Sequence, residues 1–180
     1  MKIWQLQPDN DNYESLQPVN YPSVEEMQSF DGRPKKDTWI PLKVERMHPG
    51  SGLELSDTPL LFLPVFSKRA VDILLPLIQD SVELLELDFP ERQYFAVHVT
   101  DVLNVIDYDK SDYVMFSDNK KIMLFEKYAF RMCDELKSSH IFKIVDEPLR
   151  WAFVSEEFKR TVEENGLTGF DFKLAWDSEI

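Results

Sequence analysis

A chain of 180 residues with 43% hydrophobic content, 13 Phe, 4 Trp and 6 Tyr can bury a sizeable core, which excludes disorder and favours one domain. Its formal net charge of −13 argues against general nucleic-acid binding, which needs Lys and Arg to neutralise phosphates. The single cysteine, Cys133, excludes an intrachain disulfide and a multi-thiolate zinc site, and points to a reducing compartment.

The first residues, Met1 to Asn10, contain no apolar core of a secretory signal, and the longest apolar run, Pro59 to Phe66, is too short for a bilayer. The expectation is therefore a cytoplasmic protein without membrane contact. Residues 1–56 read as an irregular arm packed on a main body over 57–180. Ile3, Trp4 and Leu6 suggest a short strand, ended by the turn-forming run Pro8 to Asn12. Ser23-Val24-Glu25-Glu26 has the form of a capping box and predicts a helical turn over 24–29. Trp39 to Met47 alternates as a strand, with Pro41 suggesting an edge position, and His48 to Gly52 is a loop.

In the body, Leu60 to Val65 is apolar and extended, and Ser67 caps a helix expected over 68–79, which Pro76 should kink or end. Strands are expected at Val82–Leu87 and at Tyr94–Thr100, where Phe95, Val97 and Val99 share one face and Tyr94, Ala96 and His98 the other. Val102 to Ile106 is a short turn or edge segment. Tyr113–Phe116 and Ile122–Phe130 flank the Ser117-Asp118-Asn119-Lys120 turn as a hairpin. A helical turn at Met132–Leu136 precedes strands at His140–Val145 and Leu149–Val154.

The C-terminal stretch from Arg150 to Trp176 is the best specified. Ser155 caps a helix over about 156–165 whose first turn carries Glu156 and Glu157, suited to the positive end of the helix. Phe158, Thr161 and Val162 share one face, and Gly166 follows as a left-handed C′ residue. Phe170, Phe172, Leu174 and Trp176 then alternate with Asp171, Lys173 and Ala175, as in a strand with one buried face. Val65-Phe66-Ser67 and Phe153-Val154-Ser155 open two similar strand–cap–helix units, through either an internal repeat or convergent capping. The fold class is α+β: a mostly antiparallel sheet with two Ser-capped helices.

Charge is patterned along the chain. Residues 80–118 hold ten acids (Asp80, Glu83, Glu86, Asp88, Glu91, Asp101, Asp107, Asp109, Asp112 and Asp118) against Arg92 and Lys110, which is −8 of the −13. Residues 119–143 reverse sign, with six bases against three acids. An acidic patch accelerates encounter with a basic partner. Asp88, Glu91, Asp101, Asp107, Asp109, Asp112 and Asp118 are therefore the candidate partner-binding residues. No catalytic motif, phosphate loop, cofactor fingerprint or metal-ligand spacing is present. The spacing Asp107-Tyr108-Asp109-Lys110-Ser111-Asp112 is the alternative, a divalent-metal site for an enzyme. It lacks the glycine and the closing glutamate of a calcium loop and places Lys110 among the ligands. Cys133 with His140 lacks a third orienting group. Exposed tryptophans among Trp4, Trp39, Trp151 and Trp176 would be interface anchors.

Asp57 to Ser67, Val97 to Asp107, His140 to Lys143, Val154 to Phe158 and Gly166-Leu167-Thr168-Gly169-Phe170-Asp171-Phe172 with Trp176 follow one another in order. Together they resemble a bacterial family of immunity proteins found beside polymorphic toxins, long catalogued as a domain of unknown function and typified by a myxobacterial protein. The resemblance covers about residues 57–176. It implies a protein that binds and neutralises a cognate toxin domain without catalysis or cofactor. Combined with the cytosolic expectation, it implies a cytosol-acting toxin, such as a nuclease or a nucleotide- or protein-modifying enzyme; the acidic segment leans towards a basic, nuclease-like one.

Overall fold

Alternating apolar residues and serine caps set the elements, and the chain assembles them as two sheets around a pair of helices. The structure, a computed structural model, describes residues 1–118 and 120–179. In chain order it contains β1 (Lys2–Pro8), β2 (Leu16–Pro18), α1 (Val24–Gln28), β3 (Leu42–Arg46), β4 (Val65–Ser67), α2 (Lys68–Ile78), β5 (Val82–Asp88), β6 (Tyr94–Val99) and β7 (Val102–Leu103). There follow β8 (Asp112–Met115), β9 (Ile122–Lys127), α3 (Asp134–Ser138), β10 (Ile141–Ile144), β11 (Phe153–Ser155), α4 (Glu156–Glu164) and β12 (Phe170–Asp177).

One sheet has the order β12-β1-β11-β10-β7, the other β2-β3-β5-β6-β4, and β8 and β9 form a separate hairpin. Among the described residues the strand pairs are antiparallel except β7 with β10 and β3 with β5. The α+β, mostly antiparallel architecture is thus present, split over two sheets. Strand β6 ends in one sheet and, after Thr100 and Asp101, the chain enters the other as β7; the Asp101 carbonyl accepts from the Lys143 amide at 2.9 Å. This short crossing ties the sheets together.

Both serine caps form. Ser67 Oγ accepts from the Ala70 amide at 3.1 Å and Ser155 Oγ from the Phe158 amide at 3.1 Å. Helix α2 continues through Pro76 to Ile78, because Leu74 and Ile78 are buried and hold the final turn despite the missing donor. Helices α2 and α4 lie side by side over a face built from both sheets. Ala70, Leu74, Phe158 and Val162 there meet Leu6, Phe66, Val97, Val99 and Val154. Fully burying a side chain such as Phe158 contributes about 1.5–3 kcal/mol. The opposite sheet faces carry two further cores: Tyr94 and Ala96 with Leu61, Leu63 and Phe30, and Phe142, Ile144 and Phe153 with Phe130 and Val105. Strand β6 therefore divides its faces as its alternation predicts, and both are buried.

Three expectations change. Residues 1–56 are irregular for most of their length, yet β1 lies inside the first sheet between β12 and β11, and β3 lies between β2 and β5. Pro41 does not mark an edge, because pairing starts only at Leu42 and the missing donor is not needed. In β12 the expected face is broken by a register shift opposite Ile3 and Trp4. Phe172 pairs with Leu6 and faces the helices, whereas Trp176, beyond the shift, pairs with Ile3 and turns to the other core, leaving Leu174 exposed. The turn expected at Ser117 to Lys120 includes Asn119, which lies outside the described residues.

The Gly-Leu-Thr-Gly turn after α4 is a clamp. The Leu167 amide donates to the Val162 carbonyl and the Gly166 amide to that of Glu163, a Schellman closure with Gly166 at φ +57. Thr168 then meets Asp57, a 4% exposed carboxylate. Asp57 accepts from Ser67 Oγ at 2.6 Å, from Arg69 Nη1 at 2.8 Å and from the Thr168 amide at 2.9 Å. One acid thus joins the cap of α2 to the turn that ends α4.

Candidate partner-binding surface

The structure does not bring the seven candidate acids to one point. Asp88 ends β5, where it registers with Lys43 of β3. Glu91 is held by Arg46 through two near-parallel contacts, Nε to Oε1 at 2.9 Å and Nη2 to Oε2 at 2.6 Å. The guanidinium keeps the Glu91 carboxyl below the usual carboxylate range. Asp101 is half-buried at the sheet crossing, accepting from Ser139 Oγ at 2.6 Å and from Ser81 Oγ at 3.4 Å. Both carboxylates already have partners, Glu91 at the surface and Asp101 half-buried.

Asp107, Asp109, Asp112 and Asp118 share one region, the β7–β8 connection and the β8–β9 hairpin. Asp107 is half-buried and pairs with Lys110 at 3.3 Å; Asp109, Asp112 and Asp118 are exposed. The strand pattern leaves aromatic side chains exposed among them: Tyr108, Tyr113 and Phe116. Tyr108 meets Tyr113 edge-on with centroids 6.1 Å apart, and Tyr113 leans on Phe125, which stacks on Tyr128 at 4.9 Å. The aromatic row is thereby anchored to the core at one end and open to solvent at the other.

The hairpin is joined to the loop between β10 and β11. The Tyr108 hydroxyl donates to both Asp146 carboxylate oxygens at 3.1 Å, and Tyr128 donates to Glu147 Oε2 at 2.8 Å. Burial and the adjoining carboxylates push both phenols above their ordinary range, so both remain donors at neutral pH. This loop exposes Val145, Leu149 and Trp151, the last at 43%. Trp4, Trp39 and Trp176 are partly covered; Trp151 is the exposed tryptophan. The exposed acids and aromatics are thus tied by Tyr108 and Tyr128 to an apolar loop; in general, exposed carboxylates favour encounter with a basic partner and rings that become desolvated supply affinity.

Sequence reasoning found the acids but not the loop, because Leu149-Arg150-Trp151 reads as the start of a strand that in fact begins at Phe153. The metal alternative gains no ligand set: among the described residues no three His, Cys, Asp or Glu side chains converge to hold an ion. Cys133 occupies the N-cap position of α3 without a side-chain cap bond, while His140 Nδ1 lies 2.9 Å from Ser155 Oγ, so the two belong to different elements. Among the described residues no helix is long and apolar enough to cross a membrane.

A family model described as "Immunity protein family (Imm11)" matches residues 81–177, more than half of the chain. The match contains β5 to β12, and with them the hairpin and the 145–151 loop. Of the resembling stretches, Asp57 to Ser67 lies outside the match and the others lie inside it. No curated protein matches the chain.

Proposed function

The chain belongs to the Imm11 immunity protein family, which carries a toxin-neutralising role, and we propose that it acts by binding a cognate toxin domain through the acidic–aromatic surface just described. Neutralisation is by occlusion, with no bond-making by the chain itself. One observation carries this reading: Tyr108, Tyr113 and Phe116 are exposed in the same short segment as the exposed Asp109, Asp112 and Asp118, inside the part of the chain that the family model covers, and Tyr108 and Tyr128 tie that segment to the loop that exposes Trp151. Anchors of this kind, when buried by a partner, typically supply 2 kcal/mol or more each, roughly a thirtyfold change in affinity. Asp109, Asp112 and Asp118 make the contacts and Asp107 flanks them. Asp88, Glu91 and Asp101 add to the long-range field.

The excess of negative charge in 80–118 favours a basic toxin of the nuclease type, acting in the cytosol where chain and toxin meet. The reading is tested by co-expressing the chain with the toxin domain encoded beside its gene. Growth should be restored, and the purified proteins should co-elute as a complex. Continued killing with both proteins soluble and no complex would overturn it.

A further inference from the structure

Strand β10 carries a lysine inside an otherwise apolar run. Ile141, Phe142 and Ile144 are fully buried, and Lys143 between them is only 4% exposed. Its ammonium donates to the Pro148 carbonyl at 2.8 Å and to the Phe30 carbonyl at 3.4 Å. An ammonium has three N–H bonds, so one remains without a protein acceptor among the described residues. Nor does Lys143 form an ion pair among them, an unusual position for a buried charge.

Beside it opens a cleft of about 340 Å³, at the small end of ligand sites. Leu6, Met27, Phe30, Leu61, Phe62 and Leu63 supply its apolar lining. Its charged lining residues are Lys143 and Arg150, and no described Asp or Glu contributes. On a chain with a net charge of −13, a cleft with two cations and no acid is a marked local reversal.

We propose that this cleft binds a small apolar monocarboxylate, its hydrocarbon against Leu61, Phe62 and Leu63 and its carboxylate on the Lys143 ammonium. The carboxylate takes the remaining N–H and replaces the missing counter-ion, forming a charge-assisted hydrogen bond in a poorly hydrated setting. Burial pushes the Lys143 ammonium down to about 8, with Asp31 opposing the shift, so it is charged at neutral pH and loses its charge just above. The other titratable and charged groups around it are His98 of β6, whose value burial lowers, with Glu83 and Lys35 acting on that ring, and the exposed Arg150 at the cleft.

The probes are octanoate and its uncharged counterpart 1-octanol, titrated into the full chain by calorimetry near pH 7 and near pH 9.5. Octanoate should bind at one saturable site about tenfold or more tighter than octanol near pH 7. That preference should vanish near pH 9.5 and in Lys143→Met, with octanol affinity retained. If Lys143→Met does not fold, the pH comparison on the unaltered chain decides the matter. Absence of saturable octanoate binding, equal affinity for both probes, or a preference that persists near pH 9.5 would overturn the proposal. This site does not rest on the toxin-binding reading, and its failure leaves that reading intact.

Discussion

Asp57 concentrates more of the fold's polar bonding than any catalytic-looking residue of the chain. Its carboxylate serves Ser67, Arg69 and Thr168 at once and is nearly inaccessible to solvent. Asp57→Ala leaves those donors without their acceptor and should destabilise the protein by about 3 kcal/mol or more, read by urea denaturation. Gly169 guards the same junction: at φ +79, an added Cβ would overlap the Ser56 side chain. Gly169→Ala should therefore cost about 2–4 kcal/mol from left-handed backbone strain and overpacking combined. A loss under half a kilocalorie in either variant would mean that the clamp is not structural. His98 makes a pH-dependent contribution. Its Nε2 lies 2.7 Å from the Arg33 carbonyl, which can only accept, so the neutral ring donates there; Nδ1 is buried without a partner. Burial lowers the His98 value below the 6.5 of a free imidazole. The unfolded chain then binds a proton that the folded one refuses, so stability falls as pH drops below about 6.5 and levels off under the folded value. His98→Gln should remove that component from a melting-temperature series, and an identical slope in both proteins would exclude it.

At the scale of elements, the caps were the most legible feature of the sequence. Ser155 and Ser67 each sit one residue before an amphipathic helix, and both serve as N-caps. Ser155→Ala should cost about 1 kcal/mol by thermal denaturation. Ser67→Ala should cost more, because the Ser67 hydroxyl also donates to the buried Asp57 carboxylate, whereas the second partner of Ser155 is the half-buried His140 ring. Strand β6 was legible for the same local reason, its alternation matching the two cores it separates. What stayed hidden depends on pairing partners distant in sequence. The β12 register shift arises opposite Ile3 and Trp4, about 170 residues earlier, and no local pattern encodes it. Lys143 gave a faint signal, a lone cation in the apolar run Ile141 to Ile144, but its burial depends on Phe30 and Pro148 closing over it. The acids of the candidate surface could be counted in the sequence. Their separation could not, because Arg46 and Ser139, which engage Glu91 and Asp101, come from other parts of the chain.

For the whole molecule, the two sheets and paired helices hold the hairpin and the 145–151 loop in a fixed relation through Tyr108 and Tyr128. On the proposed reading that fixed relation favours binding, since little ordering remains to oppose it. On the proposed reading, neutralising Asp109, Asp112 and Asp118 should lower the association rate with the toxin domain about tenfold at low salt and flatten its salt dependence. Stopped-flow mixing reads both effects. Trp151 is proposed to set residence, and because it is exposed its loss should leave the melting temperature nearly unchanged. The most direct test is the dissociation constant between the purified chain and the toxin domain encoded beside its gene, compared with that of an Asp109→Asn, Asp112→Asn, Asp118→Asn, Trp151→Ala variant. The complex should be saturable and should weaken about a hundredfold or more in the folded variant. Equal affinity for the two proteins would contradict it.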